Sequence, residues 1–353
     1  NSGKSYAAIL ISAIFEAESY MLASLIYGFE EVIQRFPELK LKLENKELKD
    51  IREIEFPEDF VIGLIEIIYN SIYEFYLPRA LSRAYACQLN ELISIGKKKF
   101  NLNIDFNSYK VELTTYRRKK LNIKNIEYPK LPDLNEIIYK SSNNIDENFY
   151  KMTKLPFLVY HMEENALKYK LRTLVVNDIY DILTHGERAY YLPSARSGIL
   201  QGHKMIAANI VRKIPYAGTE KMLDIPKFSG VVSDFISSII DLPEEKGYFY
   251  QLAHDFEREL IKGEIILKPS TEGYYPEIKY NFQNTEIELH RTSSTVSEMA
   301  PLFLYLKYII KPGNILIIEE PETHLHPKNQ RILAKYLVRL IRKGVYILIT
   351  THS

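Results

Sequence analysis

A chain of 353 residues with 46% apolar and 26% charged side chains has the composition of a globular protein long enough for two packed regions, which excludes an extended disordered chain. A formal net charge of +1 gives no global pull toward nucleic acid or membrane, although a balanced total can hide local patches. The single cysteine, Cys87, excludes an internal disulfide and a thiolate metal cluster, and fits a reducing cytoplasm.

The chain opens on Asn1-Ser2-Gly3-Lys4-Ser5, the back half of the phosphate-loop pattern G-x-x-x-x-G-K-[ST]. The first glycine of that pattern and the strand before it are expected upstream of Asn1. Gly3 would let the backbone turn its amides toward a β-phosphate, Lys4 would reach the β- and γ-phosphates, and Ser5 would ligate Mg²⁺. Ile9, Leu10, Ala13 and Ile14 have the spacing of a helix, whose N-terminal partial charge would face the same phosphates. Gly-Lys-Ser by itself is common in loops, so this assignment depends on the rest of the chain.

Residues 28–185 read as an inserted, mainly helical lobe. The apolar stretch from Phe60 to Leu77 contains Glu66, Asn70 and Glu74, and a carboxylate at bilayer depth costs about 3 kcal/mol, so the stretch reads as a buried helix and no membrane is expected. Pro57 to Tyr76, Pro78 to Ile95 and Leu155 to Leu183 have helical periodicity, with Pro78 breaking the first pair. From Lys97 to Lys130 ten Lys or Arg stand against three acids, and alternating Leu102, Ile104, Phe106 and then Val111, Leu113 read as a basic β-hairpin. Charged hairpin edges also serve to block strand pairing, so this strip is either a solvated hairpin or a phosphate-backbone contact.

Further along, Ala189 to Gly198 reads as a short strand leading into a loop that carries Arg196, a guanidinium suited to a phosphate, a partner subunit or a structural salt bridge. Gly263 to His290 is β-rich. It leads into Thr292-Ser293-Ser294-Thr295-Val296-Ser297-Glu298, a serine-rich helix start with Ser294 suited to the N-cap; it serves either as an anion site or as a plain cap. Ile315 to Ile318 is a continuous apolar run, as expected of a central parallel strand, and it ends in Glu319-Glu320-Pro321. At the carboxyl end of such a strand, Glu319 would hold a metal's hydration shell and Glu320 would polarise an attacking water. Then come Pro321-Glu322-Thr323-His324-Leu325-His326-Pro327, an amphipathic helix closed by Gly344, and a second buried strand, Val345 to Ile349, delivering Thr350-Thr351-His352-Ser353. His324 and His326 lack the further ligands a zinc site requires.

The strings ILIIEEPETHLHP and ILITTHS, together with the opening NSGKS, resemble the ABC-class P-loop ATPase heads of the RecF, SMC and OLD-nuclease type, including AAA-domain ATPases. The resemblance is strong at the two ends and weak between them. It implies an α/β P-loop NTPase core of ABC-type topology from residues 1–27 and 186–353, with 28–185 inserted. It implies ATP and Mg²⁺ as cofactors, bound by Asn1 to Ser5 with Ser5 and Glu319 on the metal, Glu320 and His352 as catalytic groups, and Ser293 and Ser294 as the signature that caps ATP from a second subunit. Thr295 stands where that family usually has glycine, and Glu319 where aspartate is commoner. The implied function is ATP hydrolysis in an ATP-dependent homodimer, a switch or clamp acting on DNA or on a nuclease or other effector that follows Ser353 or acts in trans. The alternatives are a regulatory nucleotide-binding module with little turnover and an ABC transporter head. Lacking half of the loop, residues 1–353 alone are expected to turn over weakly.

Overall fold

A computed structural model describes residues 2–20, 24, 28, 31–45, 57–92, 99–106, 109–116, 120–128, 188–202, 228–268 and 277–351. The chain divides into two compact units. One contains Asn1–Ala13, Arg83–Ala86 and Glu187–Ser353, the other Ile14–Ser82 and Cys87–Gly186. Helix α1 (Ser2–Ser19) begins in the first and runs into the second.

Within the second unit, α2 (Pro37–Asn45) precedes a long helical run made of α3 (Glu58–Asn70), a π-helical turn (Ser71–Tyr76) and α4 (Leu77–Ala84), whose last two residues belong to the first unit. Pro78 does not break this run as its sequence suggests. The π turn comes first, with the Leu77 N–H bonded five residues back to Ile72 O, and this widened register relieves the crowding that a proline ring imposes on the turn before it. By length and composition the run could cross a membrane, but Phe60, Leu64, Ile68, Tyr69, Ile72 and Tyr73 are buried inside the unit. The basic strip forms three antiparallel strands rather than a hairpin, β1 (Asn101–Phe106), β2 (Tyr109–Tyr116) and β3 (Lys120–Glu127), in the order β1-β2-β3. Leu121 is the buried residue that the two-strand reading omits, and β3 is fixed to the π turn by a bond from the Ile123 N–H to Glu74 Oε1 at 3.0 Å. The Tyr73 hydroxyl donates to that of Tyr109 at 2.9 Å. The helical stretch expected at Leu155 to Leu183 lies outside the described residues.

In the first unit β4 (Ala189–Leu192), β8 (Ile315–Glu319) and β9 (Tyr346–Thr350) make a parallel sheet in the order β4-β8-β9. Every residue of β8 is buried, which the uninterrupted apolar run anticipates, and each fully buried Leu or Ile there contributes roughly 1.5–3 kcal/mol. Leu316 and Ile318 face a core shared with α5 (Gly230–Ile240), α6 (Tyr250–Leu260), α7 (Ser294–Tyr308) and α8 (Pro327–Ile341). From Val296 to Lys307 α7 is buried all round, as the central helix of a core must be. Phe256 of α6 stacks on Tyr336 of α8 at 4.4 Å and meets Phe303 of α7 edge-on at 5.1 Å. A separate antiparallel sheet, β5 (Glu264–Lys268), β6 (Glu277–Phe282) and β7 (Thr285–Glu288), leads into α7. Gly344, at φ +87°, ends α8: its N–H bonds to Ile341 O at 3.0 Å and that of Val345 to Leu340 O at 3.1 Å, a paired closure that a left-handed residue makes possible.

Candidate functional site

The carboxyl ends of β8 and β9 lie side by side, with Glu319 opposite Thr350 in the parallel register. Glu319 is buried. Its Oε2 accepts the Ser194 N–H at 3.1 Å from the turn after β4, while its Oε1 has no hydrogen-bond partner among the described residues. The Thr350 hydroxyl next to it is likewise buried and unpartnered. The Tyr191 hydroxyl faces the same carboxylate without hydrogen-bond geometry; burial first, and the Glu319 carboxylate second, push its pKa far above the phenol range, so it stays protonated. A buried carboxylate oxygen with nothing to satisfy it is costly unless a cation or its hydration shell completes the set.

Glu320 follows at φ +43°, a backbone conformation that non-glycine residues adopt at a cost and that clusters at functional sites. Its N–H is held by Thr350 O at 2.8 Å, and its carbonyl accepts the Thr323 N–H at 3.1 Å. The side chain is half-buried, with Oε2 3.4 Å from the Thr323 hydroxyl. Lys4 reaches this edge from α1, donating its ammonium to Thr351 O, and the Thr351 hydroxyl donates to the Glu322 carboxylate. Lys4, Glu319 and Glu320 are thus brought to one end of the sheet, separated by more than 300 positions in sequence. Gly3 lies in the first turn of α1, where the amides have no intrahelical acceptor and can face an anion. Ser5 is half-buried in the same turn. Asn1 and His352 lie outside the described residues; Ser2 is the first residue of α1.

At the serine-rich segment the N-cap is Ser293, not Ser294: the Ser293 Oγ accepts the Val296 N–H at 3.4 Å, and Ser294 begins the helix. Thr295, in place of the family's glycine, donates its hydroxyl to His324 O at 3.1 Å. His324 sits at φ +63°, and His326 caps α8 by accepting the Lys328 N–H on Nδ1 at 3.3 Å. Among the described residues no group of three metal-binding side chains occurs. Arg196 is in a helical stretch, 196–202, and not in a loop, and its side chain is only 1% exposed. On the basic sheet, Lys110 pairs with Asp105 at 3.5 Å and Lys124 with Glu112 at 3.0 Å, while Arg117 to Lys119 lie outside the described residues.

Sequence reading missed Ser194, Tyr191 and Thr350, which surround Glu319 only because β4 pairs with β8 and β8 with β9. Tyr191 and Ser194 flank the end of β4 in the same segment that carries Arg196, and Thr350 ends β9. The residues present fit Mg²⁺ at Glu319, through the unsatisfied Oε1, and nucleotide phosphates at Lys4 and the α1 amides.

No curated protein matches the chain. A family model described as AAA ATPase domain matches residues 1–353, in keeping with the likeness to RecF, SMC and OLD heads. The chain therefore belongs to the AAA ATPase domain family, P-loop NTPases of α/β fold that bind and hydrolyse nucleotide.

Proposed function

We propose that this protein is an ABC-type ATPase switch that hydrolyses Mg-ATP in a head-to-tail homodimer, with the second unit as a lobe inserted in its core. The observation that carries the reading is the convergence of Lys4, Glu319 and Glu320 at one sheet edge, with an unsatisfied Glu319 oxygen beside a strained Glu320. Bound Mg²⁺ would neutralise charge developing on the transferred phosphoryl group. Glu319 and Ser5 would hold it, Lys4 and the first amides of α1 would bind the phosphates, and Glu320 would take a proton from the attacking water. Ser293 and Ser294 of one chain would cap the nucleotide of the other, and His352 would stand near its γ-phosphate. Such a clamp would act on DNA or drive a nuclease or other effector.

In the full-length protein, Glu320→Gln should retain ATP binding, lose about 10²-fold of turnover, the usual scale for a general base, and double in mass by light scattering with Mg-ATP. Unchanged kcat removes Glu320 as the base. A monomer under saturating ATP removes the composite site and favours a regulatory module that binds without turnover.

A further inference from the structure

Arg196 is the bulkiest fully buried side chain among the described residues, and the hydrolytic reading gives it no task. Its guanidinium makes three bonds to backbone carbonyls from three different segments. Nε donates to Glu298 O at 2.9 Å in α7, and Nη1 donates to Glu319 O at 2.9 Å at the end of β8 and to Pro193 O at 3.2 Å after β4. The Glu298 carboxylate lies 3.7 Å from Nε and also accepts the Ser197 hydroxyl. Burial lowers the pKa of the guanidinium, and the carboxylates of Glu298, Glu319, Glu320 and Glu322 oppose that shift.

Two local features give these bonds a consequence. The peptide joining Glu319 to Glu320 is held at both ends, its carbonyl by Arg196 and its N–H by Thr350 O. The orientation of that peptide plane sets φ of Glu320, which stands at +43°. On the other side, Pro301 interrupts the ladder of α7, since it has no N–H for Ser297 O and its ring crowds that carbonyl. The adjoining carbonyl, Glu298 O, is the one that takes Arg196.

We propose that Arg196 is a positioning residue that pins the Glu319–Glu320 peptide to the first turns of α7, so that Glu320 and the Ser293–Ser294 helix start move as one body. A planar fork suits this task, because its Nε and Nη1 donors stand at separate, fixed positions aimed at Glu298 O and Glu319 O, whereas the three donors of a lysine ammonium radiate from one atom at the end of a flexible stem. The inference rests on the hydrolytic reading for its effect on turnover. In the proposed dimer it gives a physical link between the base acting on one nucleotide and the helix that caps the other.

The test is Arg196→Lys in the full-length protein, read by steady-state kinetics and by amide hydrogen exchange. The expected result is a fall of about tenfold or more in kcat, because a misplaced base loses its geometry, with KM and ATP affinity unchanged within about twofold. Exchange should rise together in 294–300 and 319–324 and stay at the wild-type level in α6. If Arg196→Lys fails to fold, Glu298→Gln, which keeps both carbonyl acceptors and removes the nearest countercharge, should give the same paired pattern at lower amplitude. Rising exchange in only one of the two segments, or a folded variant with wild-type kcat, overturns the proposal. Exchange reads the pinning without turnover, so a wild-type protein with no ATPase activity but paired loosening in the variant would sink the hydrolytic reading and leave the pinning in place.

Discussion

Glu320 holds a positive φ, which costs an L-residue roughly 1–2 kcal/mol, and it stays there because two backbone bonds and one from the Arg196 side chain fix the turn around it. Strain of this kind has a measurable signature. Glu320→Gly should raise stability by on the order of 0.5 kcal/mol, the relief of the left-handed conformation less the extra chain entropy of glycine, while abolishing turnover as Glu320→Gln does. Thermal melts of the three proteins at one pH give the answer. A glycine variant less stable than wild type would mean that the turn is held at no cost and that the side chain contributes packing instead. Glu319 is the opposite case: it lies in an ordinary strand conformation, and its anomaly is the unsatisfied Oε1.

At the scale of elements, α6, β5 and α7 meet on a buried charged group. Lys307 and Glu257 are both 0% exposed and 2.7 Å apart, with Lys307 Nζ also 3.1 Å from Glu264 Oε1 and donating to Ile265 O at 2.8 Å. Glu257 in turn accepts the Ile265 N–H at 3.2 Å. Burial pushes the Glu257 carboxyl up to about 8 from its ordinary 4.5 even though Lys307 pulls it down, and the neighbouring Glu264 adds to the rise. His254 lies 4.0 Å from Glu264, and Tyr250, whose hydroxyl burial pushes up to about 12, borders the same group. Two carboxylates share one ammonium, and burial raises the pKa of the more buried one. Between pH 4.5 and about 8 the folded chain therefore binds a proton that the unfolded chain has lost. Stability from this group is full below 4.5 and declines as pH rises to about 8, by at most about 1.4 kcal/mol per unit. Glu257→Gln should flatten that part of the stability profile between pH 5 and 8 in denaturant titrations. Parallel profiles for the two proteins would assign the decline to other groups.

For the whole molecule, the question is what the second unit does. Its basic strip carries ten Lys or Arg against three acids between Lys97 and Lys130, although two of those lysines are paired with acids on the sheet itself. A phosphate-backbone contact would make log affinity for duplex DNA fall with log salt by about 0.9 per neutralised phosphate, without sequence preference. Replacing Arg117, Arg118, Lys119 and Lys120 with Ser should flatten that slope and leave ATP binding intact. A variant that keeps both affinity and slope makes the strip a solvated sheet edge, and DNA contact must then be sought elsewhere on the protein.

The sequence alone determined the two parts of this protein whose chemistry is local. The four-residue apolar run from Ile315 to Ile318 before two carboxylates reads as a buried strand with an acidic tip, and the spacing of Ile9, Leu10, Ala13 and Ile14 after Gly3-Lys4-Ser5 reads as a helix; both patterns are local. It also carried the closing glycine at 344, because a left-handed helix end favours that residue at that place. What it could not carry was anything set by partners distant in the chain. Pro78 reads as a break until a π turn is seen to precede it, and β3 escapes notice because Leu121 is its one buried residue among charged neighbours. The N-cap moved from Ser294 to Ser293 because adjacent serines are equivalent in composition and only the direction of the Val296 N–H separates them. Arg196 could not be assigned from its own segment, since two of its three acceptors lie 102 and 123 positions away and only the packing of α7 against β8 brings them to one guanidinium. Tertiary structure decided these points for one physical reason: a hydrogen bond between distant segments depends on the geometry of the finished core, which no window of the sequence contains.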